Sequence, residues 1–190
     1  MRKIAVLASG SGTLAEAIFE AVDNKVLACT VEVLICDKDD ALVIERARKR
    51  KIPVHLHPMK QDRALWNFEL LDYLQSLNLD LVVSAGFMRI LDHRVTSSLP
   101  IINSHPALLP LFPGAHAVRD ALAAGVKKTG TTIHWVDAGV DTGEIIAQAE
   151  LDIAPDDNQE TLHERIKILE RSLIVATIEQ LLSAMENGRS

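Results

Sequence analysis

The feature of this sequence that most constrains the fold is an alternation of short, continuously apolar runs with longer amphipathic stretches. The apolar runs predict strands at residues 3–8, 31–36, 53–57 and 80–84. The amphipathic stretches predict helices between them, at residues 14–23, 41–50 and 63–77. Strands that are apolar throughout are buried on both faces, as in a parallel sheet that helices cover on each side. We therefore expect an α/β fold with a Rossmann-like, mostly parallel sheet and helices on both faces.

The second half of the chain departs from this rhythm. Two further strands are predicted at 130–136 and 144–153, close enough in sequence to add an antiparallel or mixed edge. A long helix is predicted at about 158–187. Between these halves, residues 103–113 contain three prolines. This composition predicts a loop beside the sheet, where functional residues are often found.

The composition excludes several classes of protein. Twenty Lys and Arg residues against 26 Asp and Glu residues give a formal net charge of −6, which argues against a surface that binds nucleic acid or membrane. Cys29 and Cys36 cannot supply a disulfide framework or a four-ligand zinc site, and the histidines form no metal-ligand cluster. Because no signal peptide or spanning run is visible, we expect a cytoplasmic protein without a bound metal.

A glycine-rich segment at residues 9–13, Ser-Gly-Ser-Gly-Thr, joins the first predicted strand to the first predicted helix. Backbone N–H groups at the start of such a helix bind anions, so the segment predicts a phosphate site. Gly10, Gly12 and Ala15 also match the dinucleotide-binding pattern, and Asp37 lies near the end of the second strand. A nicotinamide-dependent oxidoreductase and a simple turn are therefore alternatives at this point.

Asn103 and His105 follow a short apolar run, and Pro106 comes next. An asparagine amide donates to a developing oxyanion, and a histidine exchanges a proton near neutral pH. Two residues apart on an extended segment, their side chains point to the same side and converge on one substrate atom. A histidine beside a proline also occurs in purely structural roles, which is the competing interpretation.

Two carboxylates, Asp137 and Asp141, lie in a glycine-containing segment between the last two predicted strands. A carboxylate close to His105 would orient its ring and favour the charged imidazolium. Aspartate and glycine are also the ordinary residues of a turn. The strand before this segment contains His134, which we expect to be either a hydrogen-bonded strand residue or a functional group beside the turn.

Five segments, in the same order along the chain, carry a family resemblance. They are VLASGSGT near the N-terminus, AGFMRIL at 85–91, NSHPALLPLFPG at 103–114, GTTIHWVDAGVDTGEIIAQ at 130–148 and TLHERIKILE at 161–170. Together they resemble the phosphoribosylglycinamide formyltransferase family, the folate-dependent enzymes of purine biosynthesis. The Asn-x-His-Pro and Asp-x-Gly-x-Asp-x-Gly motifs are specific for the formyltransferase fold.

The resemblance implies a fold and a reaction. The fold is a single formyltransferase domain over residues 1–190, with a Rossmann-like nucleotide-binding half at about 1–100 and a folate-binding half at about 101–190. The reaction moves the formyl group of 10-formyltetrahydrofolate to the amine of glycinamide ribonucleotide. The partners would be these two small molecules, without nucleic acid, membrane or metal, and the chain would act as a monomer or homodimer.

Carried over by position, the resemblance implies three groups of site residues. The catalytic residues would be Asn103, His105 and Asp141. The ribonucleotide would contact Gly12, Thr13, Leu14, Lys167 and Glu170. The folate cleft would be lined by Arg63, Met88, Arg89, Ile90, Leu91, Asp137, Ala138, Gly139, Val140 and Asp141. Leu14 departs from the family, which commonly has asparagine there, so the phosphate would rely more on backbone N–H groups.

Two other enzymes are similar in their core. Formyltetrahydrofolate hydrolase usually has an additional N-terminal domain, and methionyl-tRNA formyltransferase adds a C-terminal domain that binds nucleic acid. A first strand at residue 3 and a length of 190 residues leave no room for either domain, so we expect the glycinamide ribonucleotide enzyme. The hydrolase is the nearest alternative, and an NAD(P)-binding oxidoreductase is the alternative from another class.

Overall fold

A computed structural model describes residues 1–187, without the side chain of residue 187. In this part of the chain one sheet contains β1 Arg2–Ala8, β2 Cys29–Cys36, β3 Val54–Leu56, β4 Leu81–Ser84, β5 Ile101–His105, β6 Lys128–Trp135 and β7 Ile145–Asp152. The helices are α1 Thr13–Asp23, α2 Leu42–Lys49, α3 Arg63–Ser76, α4 His93–Ser98, α5 Ala117–Ala123 and α6 Gln159–Asn187.

The strands lie in the order β3-β2-β1-β4-β5-β6-β7. Strands β1 to β5 pair in parallel, whereas β6 pairs antiparallel with both β5 and β7. The expected mostly parallel α/β sheet is confirmed, and its antiparallel edge is formed by the two strands that are close in sequence. The sheet continues through both proposed halves, and the division near residue 100 stays a prediction. Residues 188–190 of the predicted domain lie outside the described residues.

The sheet separates two apolar cores, which explains why its central strands contain runs of successive apolar residues, such as Ile4 to Ala8 of β1. Along β1, Ile4 and Val6 face one core, and Ala5 and Leu7 face the other. Helices α1, α2 and α6 cover the first face, and α3 covers the second. Fully burying an Ile, Val or Leu side chain contributes about 1.5–3 kcal/mol. Packing on both faces therefore holds the ends of these strands in fixed positions.

Helix α6 closes the chain along the first face. The side chain of Asn158 accepts the backbone N–H groups of Glu160 and Thr161, which is how an N-cap residue begins a helix. Ile166 and Ile174 are among the fully buried side chains of its apolar side. No helix within residues 1–187, α6 included, is long and apolar enough to cross a membrane.

The short elements near the sheet edge were not predicted. Asn103 and His105 belong to β5 rather than to a loop over 103–113, because Asn103 pairs with His134 of β6 in the sheet. Helix α4 has six residues and a single buried side chain, Val95, and α5 has seven residues. Helices this short contain too few apolar positions to show a 3.6-residue period.

Candidate active site

Four polar side chains converge at the carboxyl end of β5, and we call Asn103, His105, His134 and Asp141 the Asp141 cluster. Asn103 and His105 both approach Asp141, so they project to the same side of β5, as their spacing predicts. His105 Nδ1 lies 3.2 Å from Asp141 Oδ2, and Asn103 Nδ2 lies 3.5 Å from Asp141 Oδ1. His134 Nε2 lies 3.4 Å from the same Oδ1. The carboxylate therefore faces three polar groups from two strands.

His105 is held between two oxygen atoms. Its Nε2 lies 2.8 Å from the carbonyl oxygen of Phe112, and its Nδ1 faces Asp141. Both ring nitrogens of His105 therefore face oxygen atoms that can accept a hydrogen bond. The ring is 4% exposed, and these two contacts rather than solvent fix its orientation.

Asp141 occupies a left-handed backbone conformation, with φ of 53°, which residues with a side chain adopt at a cost in free energy. Its Oδ2 also accepts the backbone N–H of Gly114 at 2.8 Å. Burial acts to raise the pKa of this carboxyl group, but hydrogen bonds from His134 and Gly114 and the nearby charges of His105 and His134 outweigh burial and lower the pKa. Asp141 is therefore ionised at neutral pH.

His134 joins the cluster although the sequence did not select it as a site residue. Its Nδ1 lies 2.8 Å from the carbonyl oxygen of Trp135 and donates to it. Its Nε2 lies 3.3 Å from Asn103 Nδ2, within reach of both Asn103 and Asp141. In the sequence, His134 lies on a predicted strand that leads to the segment with Asp141. That position does not distinguish a functional histidine from a structural one.

The glycine-rich segment between β1 and α1 offers backbone donors. Gly12 has φ of 69° and precedes α1, which has no side-chain cap. A Cβ atom at Gly12 would lie 2.3 Å from the side chain of Val43, so both conformation and space require glycine here. The N–H groups of Thr13 and Leu14 lie in the first helical turn, where they have no helical acceptor and are oriented to bind an anion.

The other predicted ribonucleotide residues offer different groups. The half-buried side chain of Leu14 packs against the core, which leaves its backbone N–H as the group for a phosphate. Lys167 Nζ lies 2.6 Å from a carboxylate one turn earlier on α6. Glu170 is 8% exposed, and its Oε1 accepts a hydrogen bond from Ser104 at 2.8 Å. Burial raises the pKa of Glu170, although the Ser104 hydroxyl and the charge of Lys167 oppose the rise.

The predicted folate residues include both exposed and buried side chains. Met88, Ile90 and Val140 are exposed apolar side chains that a ligand would cover. Arg63 of α3 contacts the same region, because its Nη2 donates to the carbonyl oxygen of Ile90 at 2.6 Å. Leu91, in contrast, is 6% exposed and packs into the core beside α3. Only its backbone is available to a ligand.

Arg89 is paired with Asp37. The Arg89 Nε atom lies 2.5 Å from Asp37 Oδ2, and the aspartate side chain is 0% exposed. In a nicotinamide-dependent enzyme the acidic residue near the end of the second strand binds ribose hydroxyls. A buried Asp37 that is paired with Arg89 does not offer that contact, which disfavours the oxidoreductase. The neighbouring Met88 donates its N–H to Ser9 Oγ at 2.9 Å, so residues 86–91 are attached to the glycine-rich segment.

The exposed residues 137–140 form a turn before Asp141, and side chains of this segment hold it. Asp137 Oδ1 accepts the Thr142 hydroxyl at 2.7 Å and the Gly139 N–H at 3.0 Å. The Thr142 hydroxyl is the main reason that the pKa of Asp137 is lowered. Ala138, Gly139 and Val140 are exposed. Asp137 shapes the turn, and Asp141 is the carboxylate that joins the cluster.

Within residues 1–187, no group of three or more His, Cys, Asp or Glu side chains is arranged to hold a metal ion. His57 Nε2 contacts the carbonyl oxygen of Trp66 at 2.9 Å, and the ring of His55 stacks on Tyr73. Cys29 is buried and free, and burial raises its pKa to about 11, which keeps the thiol protonated and unreactive. The side chains of His55, His57 and Cys29 therefore contribute to packing.

A sequence model of the family described as Formyl transferase matches residues 2–178. The chain belongs to the formyl transferase family. Phosphoribosylglycinamide formyltransferase of Mycobacterium tuberculosis is 44% identical over 186 residues, which cover 94% of this chain and 84% of the relative. The enzyme of the same name from Bacillus subtilis is 39% identical over 192 residues, which cover 99% of this chain and 98% of the relative.

Solved structures of formyl transferase family members have the same fold. Phosphoribosylglycinamide formyltransferase from Bacillus halodurans is 42% identical and has a TM-score of 0.92, with 98% of each chain covered. Glycinamide ribonucleotide transformylase 1 from Symbiobacterium toebii is 38% identical and has a TM-score of 0.91, with 94% of this chain and 86% of that chain covered. The formyltransferase fold expected from the resemblance is therefore confirmed.

Proposed function

We propose that this formyl transferase moves the formyl group of 10-formyltetrahydrofolate to the amine of glycinamide ribonucleotide in purine biosynthesis. The observation that carries the proposal is the convergence of Asn103, His105 and Asp141 at the end of β5. A glycine-rich segment suited to phosphate follows β1 of the same sheet. Relatives that are 39% and 44% identical and are named phosphoribosylglycinamide formyltransferase support it.

The ribonucleotide would lie between the glycine-rich segment and α6. Its phosphate suits the N–H groups of Gly12, Thr13 and Leu14, because helix α1 leaves its first donors uncapped. Lys167 adds a positive charge on α6. The carboxyl group of Glu170 would repel a phosphate, so we expect it to accept a hydrogen bond from a hydroxyl or amino group of the same ligand instead.

The residues in the proposed folate cleft fit the cosubstrate. The exposed apolar side chains of Met88, Ile90 and Val140 suit a flat ring system. The guanidinium of Arg63, at the edge of the same region, suits a carboxylate at the far end of the molecule. Leu91 and the turn that contains Asp137 would contribute backbone groups. When bound, the folate supplies the formyl group for transfer.

Asn103 and His105 would stabilise the formyl oxygen as it gains negative charge during attack by the amine. The amide supplies an N–H donor and the imidazolium supplies positive charge. Asp141 keeps the imidazolium charged and oriented. The contacts of 3.2 and 3.5 Å in the cluster lie at or beyond the upper end of the usual hydrogen-bond range, as is common before a ligand binds.

The transfer is balanced in protons. A bond forms between the amine nitrogen and the formyl carbon, and the bond from that carbon to the folate nitrogen breaks. The amine loses one proton and the leaving nitrogen gains one. His105 as the donor and Asp141 as the acceptor lie 3.2 Å apart: Asp141 would accept the proton that the amine loses, and charged His105 would give one to the leaving nitrogen and regain one from Asp141.

The net charge of −6 supports small-molecule substrates rather than nucleic acid. We place the protein in the cytoplasm, as a monomer or homodimer. A formyltetrahydrofolate hydrolase would use water in place of the amine. Such an enzyme would need no second ligand beside Lys167 and Glu170.

The experiment that tests the function is formyl transfer by the purified protein. The protein is incubated with 10-formyltetrahydrofolate, with and without glycinamide ribonucleotide, and both tetrahydrofolate and the formylated product are quantified. We expect both products in equal amounts, and only when the ribonucleotide is present. Release of formate without the ribonucleotide would identify a hydrolase and overturn the proposal.

A further inference from the structure

Ser104 lies between the two proposed catalytic residues of β5 but faces the opposite side of the strand. Side chains alternate along a strand, so Asn103 and His105 point towards the Asp141 cluster while Ser104 points towards α6. Its hydroxyl donates to Glu170 Oε1 at 2.8 Å. Ser104 and Glu170 are each 8% exposed. A buried hydrogen bond therefore connects the strand of the cluster to the proposed ribonucleotide residue on α6.

The two oxygens of Glu170 have different surroundings. Oε1 is bound to Ser104, whereas Oε2 forms no hydrogen bond within residues 1–187. Oε2 is also not among the buried side-chain atoms that lack a partner, so it remains accessible. One oxygen is fixed by the protein, and the other is open to a donor from a ligand.

The Ser104 hydroxyl acts as a fixed donor rather than as part of a proton relay. The hydroxyl of Thr131 lies 3.5 Å from Ser104 Oγ and donates to the carbonyl oxygen of His105 at 3.2 Å. Each hydroxyl thus has its single proton committed, Ser104 to Glu170 and Thr131 to the backbone. With both protons committed in this way, the contact between the two hydroxyls holds the side chains in position.

Few charges surround Glu170. Within residues 1–187, the charged groups that act on it are Lys167 and Arg171 of α6. The hydroxyls of Ser104 and Thr131 face this region from β5 and β6 and are uncharged. Burial raises the pKa of Glu170, and the Ser104 hydrogen bond opposes that rise. Removing the hydroxyl would therefore make Glu170 harder to ionise.

We infer that Ser104 is a positioning residue for the ribonucleotide: it fixes one oxygen of Glu170 so that the other accepts a hydroxyl or amino hydrogen from the bound ligand. This inference rests on the proposed function. It assigns Ser104 to ribonucleotide binding rather than to the chemical step, because its hydroxyl lies on the face of β5 away from His105.

The test is the affinity for glycinamide ribonucleotide, measured by calorimetry without folate over a range of pH. In Ser104→Ala we expect the Kd to rise about three- to tenfold, as for the loss of about one hydrogen bond. We also expect the acidic limit of binding to move to higher pH, because Glu170 ionises less readily. Ser104→Thr keeps a hydroxyl and should restore the pH limit. The affinity for a folate analogue should be unchanged in both variants.

Thr177→Val is the matched control. Thr177 is 2% exposed on the same helix, and its hydroxyl donates to the carbonyl oxygen of Leu173 at 2.8 Å. Its removal deletes a buried hydroxyl of α6 without touching Glu170, so affinity and pH limit should stay unchanged. Equal affinity and pH limit in Ser104→Ala and the wild type would overturn the inference, as would the same change in Thr177→Val. Failure of the wild type itself to bind the ribonucleotide would instead overturn the proposed function.

Discussion

The glycine-rich segment after β1 and the Asp141 cluster after β5 offer a ligand different parts of the chain. The segment presents backbone N–H groups, and its geometry depends on Gly12, which has φ of 69° and no space for a Cβ. The cluster presents side chains, and its geometry depends on a carboxylate that His105 and Asn103 approach. The first site therefore tolerates changes of side chain such as Leu14 but not a change of backbone conformation. The second site depends directly on the identity of its side chains, and its carboxylate is in addition placed by the left-handed backbone of Asp141, with φ of 53°.

Two carboxyl groups, Asp141 in the cluster and Glu170 on α6 at the proposed ribonucleotide site, have opposite properties. Asp141 is surrounded by donors, which lower its pKa despite burial. Glu170 has one hydroxyl donor and two more distant cations, and burial raises its pKa. Donors around a buried carboxyl group, rather than burial itself, decide whether it is charged.

The largest expected effect is on the chemical step, from removal of a side chain in the cluster. His105→Ala and Asn103→Ala should each lower kcat about 10²–10³-fold, because each removes one group that stabilises the oxyanion. The KM for the ribonucleotide should stay within about twofold, because neither side chain belongs to the proposed phosphate site. Steady-state kinetics measure both values, and His93→Ala, at an exposed histidine of α4, is the control. Near-normal kcat in His105→Ala would remove that residue from the mechanism.

The next largest effect is expected from Gly12→Ala, which changes the backbone site alone. A side chain at φ of 69° that also meets Val43 should lower the free energy of unfolding by about 1–3 kcal/mol. Displacement of the Thr13 and Leu14 N–H groups should raise the KM for the ribonucleotide at least tenfold. Chemical denaturation and kinetics provide the two measurements.

Gly10→Ala is the matched control for this change. Gly10 is not among the glycines with positive φ, and a Cβ there would meet no atom within 4 Å. The free energy of unfolding of Gly10→Ala should remain within about 0.5 kcal/mol of that of the wild type, as for an ordinary surface substitution. If both alanine variants bound the ribonucleotide normally, the segment would be only a turn.

The sequence predicted much of the fold and part of the site, and the missing parts have a common cause. Apolar runs identify buried strands because burial on both faces leaves little choice of residue. The spacing of Asn103 and His105 predicted their shared direction because strand geometry is local. The contacts of His105 with Phe112, of Asp37 with Arg89 and of Ser104 with Glu170 join residues whose proximity depends on packing between elements. No local period encodes such packing.

The opposite pKa shifts of the two carboxyl groups predict opposite dependences of stability on pH. Asp141 has a lowered pKa in the folded state, so its contribution is present above the ordinary Asp pKa of about 3.9 and is lost as the pH falls below it. Asp141→Asn should therefore be less stable than the wild type at neutral pH, and the difference should shrink in acid. Urea denaturation between about pH 3 and pH 8 measures this trend.

Glu170 has a raised pKa, so the folded state loses stability as the pH rises from about 4.3 through its folded pKa. Glu170→Gln keeps an oxygen acceptor for Ser104 and removes the charge, so its stability relative to the wild type should increase with pH. As the pH rises, the stability relative to the wild type should therefore fall in Asp141→Asn and rise in Glu170→Gln. Parallel curves would show that the donors around Asp141 do not distinguish it from Glu170.

The smallest expected effect concerns Leu14, where the resemblance to the family implies an asparagine. Leu14→Asn adds a side-chain donor at the first helical turn and should lower the KM for the ribonucleotide about two- to fivefold, the effect of about one hydrogen bond. Leu14→Ala removes the same packing against the core without adding a donor, so both variants should lose similar stability while only Leu14→Asn binds more tightly. If the two variants have the same KM, the added side-chain donor gains no hydrogen bond to the phosphate. Binding at the segment after β1 would then depend on backbone N–H groups alone.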